Sequence, residues 1–261
     1  MLGETKYIET MIDKGVYTIT LNRSETRNAL DHKMLSLINE AVINAEEKDN
    51  VRVIVIQSKL DNVFASGADL KKLNKREPLQ NLKPGMQKVY ENIANSNKVT
   101  IALINGYALG GGCELALACD IRIAMKDATL GFPELNLGII PGAGGTQRLS
   151  RMIGIGRALD MILTGKFIDG IEAERIGMVS YVAENNADKS KLLQSLLEKL
   201  YKKGPIALQL SKYALVKGYD SPMNVSLWLE KLSQTVAFGT QDKEEGINAF
   251  LEKRKAHFQN K

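Results

Sequence analysis

The first part of the chain alternates runs of β-branched apolar residues with a segment of helical periodicity. Residues 15–22 (GVYTITLN) predict a first strand, and residues 51–57 (VRVIVIQ) predict a second strand that is too apolar to face water. Between them, apolar positions recur at helical spacing from Met34 to Ala45, and Asp31 is placed to cap that helix. Strand, helix and strand in this order predict a right-handed parallel crossover, with helices covering a sheet.

Strand and helix patterns continue to alternate up to about residue 190. Further strands are predicted at 100–104, 121–124, 128–130 and 178–182, and further helices at 86–94, 152–163 and 171–176. Beyond Ser190 the periodicity is helical only, and Gly204-Pro205 marks a boundary. We therefore expect an α/β core over residues 1–203 and a helical C-terminal segment over residues 204–261, which is too short to hold a core of its own.

Two glycine clusters and two carboxylates lie close together in the middle of the chain. The first cluster, Gly110–Gly112, follows a predicted strand and precedes a run of small residues that predicts a helix start, with Glu114 in its first turn. Glycine lets the backbone approach a ligand, and the first turn of a helix has unpaired amides, so this turn can donate to an oxyanion. Residues 130–149 place Glu134 among apolar neighbours before another glycine-rich turn. The combination predicts acid–base chemistry beside an anion site.

The glycine triplet also has a purely structural interpretation. Its spacing does not match the dinucleotide-binding fingerprint, and it lacks the lysine of a phosphate-binding loop. On this stretch alone, Gly110–Gly112 could be a point of close packing, and Glu114 a carboxylate stabilised by the helix dipole. Both interpretations stand until the rest of the sequence is considered.

Three ordered blocks of sequence resemble the crotonase superfamily, the enoyl-CoA hydratase/isomerase family. They are residues 108–120 (ALGGGCELALACD), residues 133–149 (PELNLGIIPGAGGTQRL) and residues 63–71 (VFASGADLK). The resemblance extends from about Tyr17 to Arg254, nearly the whole chain. It implies an α/β fold that is a crotonase-like spiral of repeated ββα turns with a helical C-terminal segment.

The resemblance also implies roles for individual positions. Glu114 and Glu134 match the catalytic carboxylates, and the backbone amides of Ala68 and Gly111 match the oxyanion hole. The positions implied to contact CoA or substrate are Ser66, Ala68, Asp69, Leu70, Lys71 and Gly111. Lys71 is equally well interpreted as a solvated surface lysine. The resemblance implies no metal and no cofactor, since the CoA thioester is the substrate.

Composition and charge narrow the functional classes. The 261 residues suffice for one large core without a disulfide framework. The net charge of +5 and the pI near 9.0 arise from basic residues interspersed with acids, as on solvated helix surfaces. The resemblance favours a second interpretation, a positive rim for the phosphates of CoA. No interleaved aromatic platform accompanies these charges, so nucleic acid is not an expected partner.

Cysteine usage and apolar run length bear on the compartment. Cys113 and Cys119 are the only cysteines, and we interpret them as small buried hydrophobic residues and not as metal ligands or a disulfide. The N-terminus has no apolar leader, and no window approaches the ~18 apolar residues needed to span a bilayer. We expect a cytoplasmic protein with no metal site and no membrane association.

The activity implied by the resemblance is reversible syn hydration of a trans-2-enoyl-CoA to a 3-hydroxyacyl-CoA, in fatty-acid or branched-acyl β-oxidation. An alternative is 3-enoyl to 2-enoyl-CoA isomerisation, in a branch that keeps a carboxylate at the position of Glu134 but not of Glu114. A third hypothesis is a non-catalytic CoA-ester or RNA-binding homologue. The presence of both glutamates favours the hydratase.

The amphipathic C-terminal helices, together with the resemblance, predict a homotrimer or a homohexamer built as a dimer of trimers. Acyl chain length and branching stay open, because the loops and the helix around residues 72–87 form the pocket wall and the directions of their side chains cannot be read from the sequence.

Overall fold

The computed structural model describes residues 3–4 and 7–261. Contacts between Cα atoms divide the chain into two compact units, residues 1–96 with 100–193 and residues 97–99 with 194–261. The sequence boundary at 203/204 stays a prediction. All the predicted site residues belong to the first unit.

Eleven β-strands form two sheets in the described part of the chain. The strands are β1 (Gly3–Glu4), β2 (Ile8–Asp13), β3 (Val16–Leu21), β4 (Val53–Ser58), β5 (Val63–Ala65), β6 (Val99–Ile104), β7 (Tyr107–Leu109), β8 (Ile121–Met125), β9 (Thr129–Gly131), β10 (Ile168–Asp169) and β11 (Tyr181–Ala183). The larger sheet has the order β1-β2-β3-β4-β6-β8-β11, and the smaller has the order β10-β9-β7-β5.

Eleven α-helices and three short 3-10 helices accompany these strands over the same residues. The α-helices are α1 (His32–Glu46), α2 (Leu70–Leu73), α3 (Met86–Ala94), α4 (Gly111–Ala118), α5 (Gly145–Ile153), α6 (Ile155–Thr164), α7 (Gly170–Arg175), α8 (Asn186–Tyr201), α9 (Pro205–Tyr219), α10 (Met223–Phe238) and α11 (Gln241–Leu251). The 3-10 helices are Ser24–Thr26, Pro78–Leu82 and Glu134–Leu137. This mixed α/β architecture is the predicted fold class.

The predicted β3–α1–β4 unit is present, and β3 and β4 pair in parallel with Val16 opposite Val53. The buried residues of α1 are the apolar positions that have helical spacing in the sequence: Met34, Leu35, Ile38, Ala41, Val42 and Ala45. Asp31 caps this helix as predicted, since its carboxylate accepts a hydrogen bond from the Met34 amide at 2.9 Å. Burial of a side chain such as Ile38 stabilises the fold by about 1.5–3 kcal/mol.

The smaller sheet brings distant parts of the chain to one edge. Its neighbouring strands β5, β7 and β9 are parallel, so their carboxyl ends lie on the same side. β5 leads into the loop with Ala68, β7 leads into the glycine triplet and α4, and β9 leads into Glu134. Ligands of open α/β sheets bind beyond the carboxyl ends of the strands, so a ligand site is expected at this edge.

Some elements differ from the sequence predictions. β7 was not predicted, because a three-residue strand is too short to show a period of two. β11 starts at Tyr181 instead of Met178, although Met178 and Val179 are buried. A short buried apolar run is typical of a strand and also of a buried loop. Here Met178 and Val179 lie in a buried loop that precedes the strand.

The second unit is helical, and its α9 and α10 pack against each other. The segment after α11 folds back onto it, since the Asp242 carboxylate accepts hydrogen bonds from the amides of Gln259 and Asn260 at 2.6 and 2.9 Å. Large apolar side chains of these helices are exposed, among them Leu215 and Trp228. No helix in the described residues is long and apolar enough to cross a bilayer.

Candidate active site

Two backbone amides, those of Ala68 and Gly111, lie close together at the edge of the smaller sheet. A Cβ atom added to Gly111 would lie 3.6 Å from the Ala68 nitrogen, and one added to Gly67 would lie 3.7 Å from the Gly111 nitrogen. Within residues 3–4 and 7–261 the Ala68 amide donates no hydrogen bond to a backbone carbonyl. Gly111 is the first residue of α4, where amides have no intrahelical acceptor. The two amides can therefore donate to one oxyanion.

Buried charges hold the loop that carries the Ala68 amide. Leu30 and Ala68 form an isolated parallel β-bridge between two helix starts. The guanidinium of Arg23, almost fully buried, lies 3.3 Å from the Asp31 carboxylate and 3.2 Å from that of Asp69. These two aspartates cap α1 and α2. Arg23 thereby ties both helix starts together beside the amide.

Each glycine of the triplet meets a different neighbour at close range. Gly110 has a φ of +49°, and a Cβ there would lie 2.5 Å from Oε1 of Glu134. A Cβ on Gly111 would lie 2.8 Å from Sδ of Met86, and one on Gly112 would overlap the last carbonyl of β5. The two interpretations of the triplet are therefore compatible, because one glycine permits close packing on a strand while the other two border the carboxylate and the amide pair.

Glu114 is held by the second glycine-rich turn. Its side chain is only 2% exposed, and Oε1 accepts hydrogen bonds from the amides of Ala143 and Gly145, both at 2.7 Å. Burial raises the pKa of Glu114, while the two amides and the charge of Arg148 act to lower it. Arg148 in turn donates to the Ala143 carbonyl at 3.0 Å. The turn thus fixes one carboxylate oxygen of Glu114.

Glu134 begins a 3-10 helix and is only partly buried. Burial is the main cause that raises its pKa to about 7, and the charge of Glu114 raises it further, against a lowering by its own backbone amide. Its Oε2 is buried and has no hydrogen-bond partner among the described residues. Near neutral pH, Glu134 is therefore divided between its acid and base forms.

The remaining predicted positions lie on the loop between β5 and α2. Ser66 is half-buried, and its hydroxyl donates to the Thr26 carbonyl at 3.2 Å. Asp69 accepts from the backbone amides of α2, which makes it a cap and an ion-pair partner. Leu70 and Lys71 are both exposed. The structure therefore leaves both interpretations of Lys71 open.

Three further residues surround this site, and the sequence does not show the contacts that they make. Arg23 lies 46 residues before its partner Asp69, and Arg148 reaches the turn that holds Glu114. Tyr90 is fully buried on α3 and donates from its hydroxyl to the Gly111 carbonyl at 2.6 Å. The helical period of α3 predicts that Tyr90 is buried, but not which carbonyl its hydroxyl meets.

No group of three or more His, Cys, Asp or Glu side chains in the described part of the chain is arranged to hold a metal ion. Both cysteines are buried free thiols, and burial raises the pKa of Cys113 above its ordinary value. Neither thiol is therefore poised as a nucleophile. The chemistry available at this edge of the sheet is that of two carboxylates and two backbone amides.

Comparison with known proteins matches residues 11–261 to the family model of enoyl-CoA hydratase/isomerase. The short-chain-enoyl-CoA hydratase of Clostridium acetobutylicum is 36% identical over 242 residues, covering 92% of each chain. The mitochondrial methylglutaconyl-CoA hydratase of Mus musculus is 38% identical over 93% of this chain and 79% of its own.

Among solved structures, an enoyl-CoA hydratase from Bacillus anthracis superposes with a TM-score of 0.92 at 36% identity, covering 97% of this chain and 99% of its own. Fold, matched length and identity agree with the three sequence blocks. The chain therefore belongs to the enoyl-CoA hydratase/isomerase family.

Proposed function

We propose that this chain is an enoyl-CoA hydratase that reversibly adds water to a trans-2-enoyl-CoA with syn stereochemistry. The observation that carries the proposal is the pairing of Glu114 and Glu134 beside the amides of Ala68 and Gly111. The named activities of its relatives support the same reaction class. Fatty-acid or branched-acyl β-oxidation is the pathway that we propose for it.

Addition of water to a thioester-conjugated double bond places negative charge on the thioester oxygen. The amides of Ala68 and Gly111 are proposed to receive this oxygen, and one such donor changes the rate by roughly 10²–10³. Because both donors are backbone groups, they need no reorganisation as the charge develops. The enolate that forms is then protonated at C2.

The two carboxylates are proposed to divide the proton transfers. The ionised form of Glu114, held at Oε1 by two amides, orients a water and takes its proton as the oxygen bonds to C3. The protonated form of Glu134 delivers a proton to C2, and its pKa of about 7 supports a substantial protonated fraction at neutral pH. The reverse reaction starts from protonated Glu114 and ionised Glu134. The pair therefore carries one proton in either direction.

The test is the absorbance of the conjugated thioester of crotonyl-CoA. A hydratase consumes this absorbance, whereas an isomerase acting on a 3-enoyl-CoA creates it, so the sign separates the two alternatives. Glu114→Gln and Glu134→Gln should each lower kcat at least ~10²-fold, and Glu174→Gln, an exposed control on α7, should not. Activity should persist in a chelator, since the proposed steps use no metal. Normal hydration by Glu114→Gln would refute its role in water activation.

Exposed apolar side chains of the C-terminal helices support an oligomer. Leu215 on α9 and Trp228 on α10 are 74% and 62% exposed, and further apolar residues of both helices are exposed with them. We infer that residues 204–261 form an interface in a homotrimer or homohexamer. Light scattering at micromolar concentration tests this, and a fully active monomer would contradict it.

Two free buried cysteines support a reducing compartment such as the cytoplasm. The acyl-CoA substrate is the only partner that the proposed chemistry requires.

A further inference from the structure

Helix α3 contacts the first residue of α4 through two side chains that are one turn apart. The sulfur of Met86 lies 2.8 Å from the position that a Cβ of Gly111 would take, and Tyr90 donates its hydroxyl hydrogen to the Gly111 carbonyl at 2.6 Å. Positions i and i+4 lie on one helix face, so a single face of α3 contacts this glycine through both side chains. Tyr90 is fully buried, so its hydroxyl is shielded from solvent.

The start of α4 needs such a restraint because it lacks side chains. Gly110, Gly111 and Gly112 have no Cβ atoms to pack, and glycine has the widest backbone freedom of any residue. The Gly111 amide belongs to the first of these peptides, and Glu114 lies in the same turn. A rotation of that turn would therefore move an oxyanion donor and a carboxylate together.

We propose that Tyr90 is a positioning residue for the oxyanion hole. Its hydroxyl fixes the carbonyl of the Gly111–Gly112 peptide, and through the Gly111 Cα this restrains the preceding Gly110–Gly111 peptide, whose N–H is the Gly111 amide that points at the thioester oxygen. This inference rests on the proposed function and deepens it. Burial and the nearby charge of Glu114 raise the pKa of Tyr90 well above its ordinary value, so the hydroxyl remains a donor across the working pH range.

The test compares Tyr90→Phe with Tyr17→Phe, which removes a hydroxyl from another buried tyrosine, on β3. The Gly111 carbonyl keeps its place in the helical hydrogen-bond pattern of α4, so the Tyr90→Phe chain should fold. With crotonyl-CoA, Tyr90→Phe should lower kcat about tenfold and change KM less than twofold, the pattern of an interaction made only in the transition state. Tyr17→Phe should leave both constants unchanged.

A second readout reports on the oxyanion hole directly. Acetoacetyl-CoA loses a proton from C2 to give an enolate with charge on its oxygens, and the ultraviolet absorbance of the bound enolate measures how well the amides stabilise it. At a fixed pH, Tyr90→Phe should bind a smaller enolate fraction than the wild-type protein, and Tyr17→Phe should not.

Three outcomes overturn the inference: an unchanged kcat in Tyr90→Phe, an equal loss in Tyr17→Phe, or an unchanged enolate fraction. Failure of the proposed function looks different, because the wild-type protein itself would then leave crotonyl-CoA unhydrated. Even in that case the enolate fraction of Tyr90→Phe still decides whether Tyr90 orients the amide.

Discussion

Glu134→Gln should make the protein more stable while it removes activity. In the folded chain the Glu134 carboxyl has a pKa of about 7, raised from 4.5 mainly by burial. The folded state therefore binds a proton more tightly than the unfolded chain between these two values. The contribution of the Glu134 carboxyl to the free energy of unfolding is fully present below pH 4.5. It is lost as the pH rises through about 7, because the carboxylate must then be buried in its charged form.

The size of the effect follows from the same two values. At full strength, a difference between 4.5 and about 7 corresponds to about 3.4 kcal/mol. Glu134 is only partly buried, so solvent screening reduces this to about 1–2 kcal/mol. Glutamine is neutral at every pH and nearly isosteric with glutamate. The free energy of unfolding of Glu134→Gln should therefore match that of the wild-type protein at pH 4 and exceed it by about 1–2 kcal/mol at pH 8.

Urea unfolding of the unliganded protein at both pH values measures the difference, with Glu174→Gln as the exposed control. The same preparation assayed with crotonyl-CoA should have lost at least ~10²-fold in kcat. A stability gain that is equal at the two pH values, or a loss at pH 8, would refute the argument that burial raises the pKa of this carboxyl. A gain in stability without a loss of activity would instead remove Glu134 from the mechanism.

Three further substitutions test the surroundings of the site. Gly110→Ala should lower kcat at least tenfold and destabilise the fold by about 1–3 kcal/mol, because a Cβ at positive φ would displace Glu134. Steady-state kinetics and thermal melting measure the two effects, and a wild-type kcat would contradict the prediction. Arg23→Met should lower the free energy of unfolding by about 3–5 kcal/mol, since it leaves two nearly buried carboxylates unpaired. Urea unfolding measures this loss, and a loss below ~1 kcal/mol would show that Arg23 pairs only weakly with Asp31 and Asp69. If Lys71 binds the nucleotide end of CoA, Lys71→Ala should raise KM with kcat little changed, and the rise in KM should be larger at low salt. Steady-state kinetics beside the exposed control Lys72→Ala decide this, and an unchanged KM would make Lys71 a solvated surface lysine.

Local structure was largely readable from the sequence. The apolar period of α1, its cap Asp31 and the bounds of α3 at Met86–Ala94 were all predicted correctly. These features depend on interactions within a few residues, such as a carboxylate accepting from an amide three positions later. The three family blocks likewise identified the fold and the reaction class, since each block is contiguous in the chain.

Contacts between distant residues were decided by the tertiary structure. The amides of Ala68 and Gly111 approach each other because β5 and β7 pair in parallel, although 43 residues separate them in sequence. The hydrogen bond from Tyr90 to the Gly111 carbonyl depends on how α3 packs on α4. No periodicity or composition encodes these distances.

The chemical difference between the two carboxylates was also decided in three dimensions. In the sequence, Glu114 and Glu134 are both glutamates beside glycine-rich turns. In the folded chain, Glu114 is held by two amides near Arg148, while Glu134 has a buried oxygen without a partner among the described residues. The physical reason is that desolvation and hydrogen bonding set a pKa, and both depend on which groups surround a side chain after packing. The sequence by itself determined that two carboxylates and a glycine-rich turn are present, and only the tertiary structure decided that one of them titrates near pH 7.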